Sequence, residues 1–123
     1  MIRAISIDDD IETQLTLGKI ARKNGMDIVL FDNLKQAICY LDENEVDLIF
    51  IDFMRPLMEG IDFISYLRIH HPAIIIFIMI SVMSDKAVME ELFHFHQVGL
   101  LTKPLVVDES IARISRFLEG GAD

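Results

Sequence analysis

Five side chains of this 123-residue chain stand where they could act together. An uninterrupted apolar run, Leu48 to Ile51, ends on Asp52, and the short apolar stretch Ile2 to Ile7 ends on Asp8 and Asp9. A third stretch, from Ile74, ends on Ser81, and a fourth, Val98 to Leu101, runs through Thr102 into Lys103 and Pro104. Carboxylates brought close repel, so at least one takes up a proton unless a cation is supplied. An oxygen-only ligand set suits Mg2+, which prefers carboxylates, water and phosphate oxygens. Three carboxylates opposed by Lys103 and a divalent ion give a neutral site with room for an incoming phosphoryl group, so the chemistry expected is phosphoryl transfer.

Such a site requires the apolar runs to be neighbouring strands that end on one edge. The run before Asp52 lacks the alternation of a half-exposed strand and fits one covered on both faces, as in a parallel sheet. In open α/β sheets the carboxyl ends of the strands form the ligand crevice. Pro56 and Gly60 place a turn after Asp52, with a new helix expected from Ile61, too far downstream for Asp52 to cap it. In chain order, strands are expected at Ile2–Ile7, Ile28–Phe31, 46–52, Ile74–Ser81 and Val98–Leu101. The first helix carries Ile11, Leu15, Ile20 and also Leu17 and Ala21 near one face, opens at Asp10 as a cap and stops at Asn24 and Gly25. The second begins at a capping-box-like Asn33 and Gln36 and buries Leu34, Ile38 and Leu41. Ile61, Ile64 and Leu67 mark the third, which fails by Pro72. Val88, Met89, Leu92 and Phe93 mark a fourth, capped by Ser84 or Asp85; Ile111, Ile114, Phe117 and Leu118 mark the last. Five strands alternating with five helices at a pitch of about two dozen residues predict βαβ units. Right-handed crossovers make the fold class α/β, a doubly wound (βα)5 with a five-stranded parallel sheet.

Composition narrows the function classes. The length suits one domain with a single core, residues 1–119, with Gly120 to Asp123 as a tail or the start of a linker. Twenty acidic against eleven basic residues leave a net charge of −9, with no basic stripe for nucleic-acid phosphates. Cys39 has no partner cysteine, which suits a reducing cytoplasm, and is expected to be a helix packing residue. No signal peptide is expected, and the longest apolar run, Ala73 to Met83, is far short of the ~20 residues of a membrane span. His70, His71, His94 and His96 have spacings that face apart on a helix and do not suggest a metal site.

The aspartate pair after the first strand, the D-x-x-x-P-x-x-x-G spacing from Asp52 through Pro56 to Gly60, Ser81 after the fourth strand and Lys103-Pro104 after the fifth together resemble the CheY-like receiver domain of two-component response regulators. The match covers nearly the whole chain. The resemblance implies a flavodoxin-like fold and a signalling phosphoacceptor rather than a turnover enzyme. Asp52 would accept a phosphoryl group from the phosphohistidine of a sensor histidine kinase or phosphotransfer protein. Asp9 would ligate Mg2+ directly, Asp8 mainly through a water, and Asp52 and the backbone carbonyl of Met54 would complete the protein ligands. Ser81 and Lys103 would hold phosphoryl oxygens. An output domain or a homodimer would be the further partner. A carboxylate is a competent nucleophile towards a phosphoramidate, so the residues support these roles chemically.

The sequence also departs from the family pattern. Arg55 stands where Met is frequent, Val82 where a small residue is usual, Leu100 where many receivers place Tyr or Phe, and His96-Gln97 where Gly-Ala is common. In receivers the residues two after the acceptor aspartate and two after the Ser or Thr flank the approach of water; here they are Met54 and Met83, whose thioethers cannot orient a water well, so the resemblance implies slow loss of a phosphoryl group. Two alternatives compete. One is a receiver-like interaction module that works without phosphate; the other is a haloacid-dehalogenase-like phosphatase, whose D-x-D-x-T/V motif Asp8, Asp9 and Asp10 do not complete. A flavodoxin-like flavin carrier lacks its phosphate loop.

Overall fold

A computed structural model describes residues 1–52, 57–81 and 97–120, with the backbone alone described for 57–60 and Ser81. The elements are β1 (Ile2–Ile7), α1 (Ile11–Asn24), β2 (Met26–Phe31), α2 (Leu34–Glu43), β3 (Leu48–Asp52), α3 (Leu57–His70), β4 (Ile75–Ser81), β5 (Val98–Lys103) and α4 (Val107–Leu118). All four strand pairings are parallel, in the order β2-β1-β3-β4-β5. This is the doubly wound, flavodoxin-like arrangement expected. The expected helix of 84–93 and most of the tail lie outside the described residues.

Alternate residues of a strand face opposite sides of the sheet, and here both sides are covered. Ile5, Ile7, Ile49, Ile51, Ile76 and Ile78 pack against Ala37 and Leu41 of α2 and Phe63, Ile64 and Leu67 of α3. On the other side, Ala4, Leu48, Phe50, Phe77, Met79 and Leu101 meet Leu17, Ile20 and Ala21 of α1 and Ile114 of α4. Phe50 and Phe77 stack there, their ring centroids 5.8 Å apart. Truncating a fully buried strand residue such as Ile49 to Ala would cost about 2–5 kcal/mol, by lost transfer energy and the cavity left behind.

Local signals set the helix ends. Gly25 takes the left-handed conformation (φ 65°) that closes α1, its N–H donating to the Ala21 carbonyl, a geometry a β-carbon would disfavour. Asn33 caps α2, its side chain accepting from the Gln36 N–H at 2.9 Å.

Several expectations change. Thr13, Leu17, Ile20 and Ala21 form the buried stripe of α1, whereas Ile11 and Leu15 are 73% and 63% exposed. The physical reason is angular: two residues along a helix is about 200°, so Ile11 and Leu15 lie opposite Thr13 and Leu17. Helix α3 starts at Leu57 rather than Ile61, which puts Gly60 inside the helix. Asp52 still lies five residues before it. Cys39 is exposed rather than packed, and Leu118 is exposed at the end of α4. Among the described residues no helix is long and apolar enough to cross a membrane.

Candidate functional site

Strand parity and register bring the site together. Ile7 and Ile51 are register partners on the adjacent strands β1 and β3, so the next residues, Asp8 and Asp52, leave the sheet at the same level. By alternation Asp8 follows the side of Ala4 and Ser6, Asp52 that of Leu48 and Phe50, and Lys103 that of Leu101, which is the α1/α4 side in each case. Strand β4 separates β3 from β5, and the four-carbon stem of Lys103 spans it. Its Nζ lies 3.3 Å from Asp52 Oδ1 and 2.7 Å from Asp8 Oδ2. Asp8, Asp9 and Asp52 each offer a carboxylate oxygen, all within 4.8 Å of one another.

The three acids differ in setting. Asp8 is buried, Asp9 exposed and Asp52 half-buried. Burial pushes the Asp8 carboxyl above the ordinary 3.8; Lys103 and the Asp10 N–H oppose the rise and the Asp52 charge adds to it. For Lys103, burial favours the neutral amine, but Asp8 and Asp52 outweigh it and hold the ammonium above 10.5. Asp10 occupies the N-cap position of α1, and its carboxylate accepts from the Thr13 hydroxyl at 2.6 Å. That bond is the main reason its pKa is lowered.

The donor set fits a hard divalent cation. Asp8 Oδ1 accepts from the Asp10 N–H at 2.8 Å, while Asp8 Oδ2 is buried without an aligned hydrogen-bond donor, its contact with Lys103 being an ion pair whose angles do not make a hydrogen bond. That one ammonium is shared with Asp52, so it offsets only part of the charge of the three acids, and a further cation would relieve the rest. With all oxygens from carboxylates, Mg2+ suits the cluster better than a thiophilic metal.

Behind the acids lies a polar network that composition did not disclose. Gln14 of α1 donates from its side-chain amide to the Asp8 carbonyl at 3.0 Å and the Phe31 carbonyl at 2.9 Å, and its own carbonyl accepts from the hydroxyl of buried Ser6. The Asp8 N–H also donates to Phe31 O, at 3.0 Å. The signal was a serine at a core-facing position of an apolar strand, which demands a polar neighbour.

Of the other expected residues, Ser81 ends β4 in register with Lys103; its side chain lies outside the described residues, as do Met54, Arg55, Val82, Met83, His94 and His96. Leu100 is partly buried against the α2/α3 side of the core. Gln97 precedes β5 with a positive φ of 58°. The Lys103–Pro104 peptide is cis.

Comparison with known proteins agrees with this geometry. The family model described as response regulator receiver domain matches residues 4–115. The DNA-binding transcriptional regulator NtrC of Salmonella typhimurium is 24% identical over 112 residues, which are 91% of this chain and 24% of that protein. The transcriptional regulatory protein CpxR of Klebsiella pneumoniae is 32% identical over 71 residues, 58% of this chain and 30% of that protein. The chain therefore spans only a quarter to a third of the length of these two relatives. Among solved structures, a response regulator from Thermotoga maritima shares the fold with a TM-score of 0.87 at 20% identity, covering 97% of this chain and 98% of that one. With an acidic cluster and a lysine at the carboxyl edge of a (βα)5 sheet, and the family match running through nearly all of it, the chain belongs to the response regulator receiver domain family.

Proposed function

We propose that Asp52 is the phosphoacceptor of this receiver domain. The observation that carries the reading is the convergence of Asp52, buried Asp8 and Lys103, with one ammonium in contact with both carboxylates. An Asp52 carboxylate oxygen attacks the phosphorus of a phosphohistidine; the oxygen–phosphorus bond forms as the phosphorus–nitrogen bond breaks, and the imidazole leaves. The donor is a sensor histidine kinase or a phosphotransfer protein. Lys103 is placed to hold a phosphoryl oxygen, and the ordinary receiver role for Ser81 would supply a hydroxyl to another. Asp8, Asp9 and Asp52, with the Met54 carbonyl, would hold Mg2+. When bound, that ion would supply charge neutralisation for the transferred group. The domain is a switch and not a turnover enzyme, limited to its own phosphorylation and dephosphorylation. Residues 1–119 form the acting unit, residues 120–123 its tail or linker, and the site of action is the cytoplasm. The signal passes to an output domain or a second copy.

The test is incubation with a small phosphodonor and Mg2+, followed by intact-mass measurement. One added phosphoryl group is expected in the parent and none in Asp52→Asn. Equal labelling of both proteins would remove Asp52 from the role. No labelling of either would favour a phosphate-independent interaction module, and multiple turnover of a phosphomonoester would favour a phosphatase.

A further inference from the structure

We infer that Gln14, oriented by Ser6, is a positioning residue that sets the peptide plane from which the Asp8 and Asp9 carboxylates hang; the inference rests on the proposed Mg2+ role of those acids. The carbonyl that Gln14 holds is that of Asp8. This oxygen belongs to the same planar peptide unit as the Asp9 N–H. Fixing it restricts the backbone torsions on either side, and so the directions in which Asp8 and Asp9 leave the end of β1.

The orientation of the Gln14 amide is itself specified. Two carbonyls, of Asp8 and Phe31, require its NH2 group, and the Ser6 hydroxyl then meets its oxygen. Ser6 is wholly buried, at a strand position whose neighbours on that face, Ala4 and Phe50, are apolar. A buried hydroxyl there contributes no packing that an aliphatic residue would not, and it is costly unless bonded. Its role is to aim Gln14, whose grip on β1 and β2 meets the main chain one bond away from the acids. Polar groups behind metal-holding residues commonly act in this way.

A purely structural role for the pair would be a staple between α1 and the sheet. The experiment separates the two using Ser6→Ala combined with Gln14→Met, which removes both side-chain polar groups together and keeps the volume nearly constant; the Phe31 carbonyl keeps the Asp8 N–H and only the Asp8 carbonyl loses its Gln14 donor, so the fold should melt slightly below the parent in EDTA. Two quantities are read in the full chain. The first is amide hydrogen exchange at Asp8 and Asp10 in the metal-free protein, expected to quicken about tenfold or more while the amides of α4 stay unchanged. The second is Mg2+ affinity by calorimetry, expected to weaken about tenfold. Single Gln14→Met, with Ser6 left unpaired, should lose affinity similarly but also melt lower. Unchanged exchange at Asp8 and Asp10 overturns the inference, and so does faster exchange with unaltered Mg2+ affinity, which is the staple's signature. A parent that takes up no Mg2+ defeats the metal reading alone; faster local exchange in the double variant would then still support the positioning of the acids, and unchanged exchange would still overturn it.

Discussion

The carboxyl and amino edges of the sheet both carry clustered acids. At the carboxyl edge, Asp8, Asp9 and Asp52 bring oxygens within 4.8 Å. At the amino edge, Asp42, Glu43, Glu45 and Asp47 line an open groove of about 540 Å3 with His71 and Pro72. The second cluster has more carboxylates, yet every one of them is exposed. Glu45 meets Arg3 at 3.7 Å with both side chains well exposed, and the Asp47 carboxylate accepts from the Arg3 N–H at 2.9 Å. Water and salt screen these charges, so their mutual repulsion is small. At the carboxyl edge Asp8 is buried and the Lys103 side chain only 15% exposed, so the same kind of charge is desolvated, opposed by one cation and left with a lone pair to fill. Desolvation and convergence, more than the number of charges, separate the carboxyl-edge cluster from the solvated one.

The sharpest way to break this contrast is to remove one cation from each edge. Lys103→Met should destabilise the protein by about 3 kcal/mol at pH 7 in EDTA, because a buried carboxylate loses its counter-charge. Arg3→Met should cost less than about 1 kcal/mol. Urea unfolding measures both, and equal costs would show the two edges to be electrostatically alike.

A slightly smaller effect is expected from Mg2+. At a hundredfold excess over its dissociation constant the ion should add about 2.7 kcal/mol. Thermal melts of Asp9→Asn should lack this response and those of Glu45→Gln should keep it. A response surviving in Asp9→Asn, or lost in Glu45→Gln, would place the ion elsewhere.

The pH dependence sharpens the comparison further. Folded Asp8 holds its proton more tightly than the unfolded chain does, so in EDTA its ionisation opposes folding. Relative to Asp8→Asn, the parent should lose stability as pH rises from 3.8 through the raised folded value, then level off. Lys103 gives a loss of the same sign from the opposite charge: its ammonium favours folding, so its contribution is complete below 10.5 and disappears as pH climbs through its raised folded value. A parent and an Asp8→Asn variant with parallel stability profiles from acid to neutral pH would contradict the raised Asp8. The smallest change should come from Glu43→Gln at the amino edge, within about 0.5 kcal/mol and without influence on the Mg2+ response.

The strands were legible because a doubly covered strand needs an unbroken apolar run, and a carboxylate ending such a run is conspicuous. Asp52 was found in this way; Asp8, Asp9 and Lys103 were found as the charged residues that end the less regular stretches Ile2–Ile7 and Val98–Leu101, and their convergence followed from strand parity. The faces of α1 were less legible. Ile11 and Leu15 are apolar and spaced four apart, and only the tertiary fit shows that the stripe through Thr13 and Leu17 meets the sheet instead. Cys39 misled for a related reason, since a small apolar side chain on an amphipathic helix carries little information about which side it takes. Gly60 suggested a turn, but the helix starting at Leu57 absorbs it. Gln14 could not be read from its own position, where a glutamine looks like an ordinary surface residue; the pointer was Ser6, eight residues before the glutamine that satisfies it.

The strand order has a consequence for how the molecule is made. Strands β1 and β3 adjoin, but Lys103 arrives only with β5, the last strand. As a chain emerges from the ribosome, Asp8 and Asp52 are both available well before the lysine that separates their charges. Any early docking of β1 on β3 thus brings like charges together at the end of the growing sheet. Parallel pairing is already slow because each crossover closes a long loop. Burial of the Asp8 and Asp52 charges is therefore compensated by Lys103 only once the final strand is in place, which links completion of the carboxyl edge in the first half of the chain to the arrival of the second.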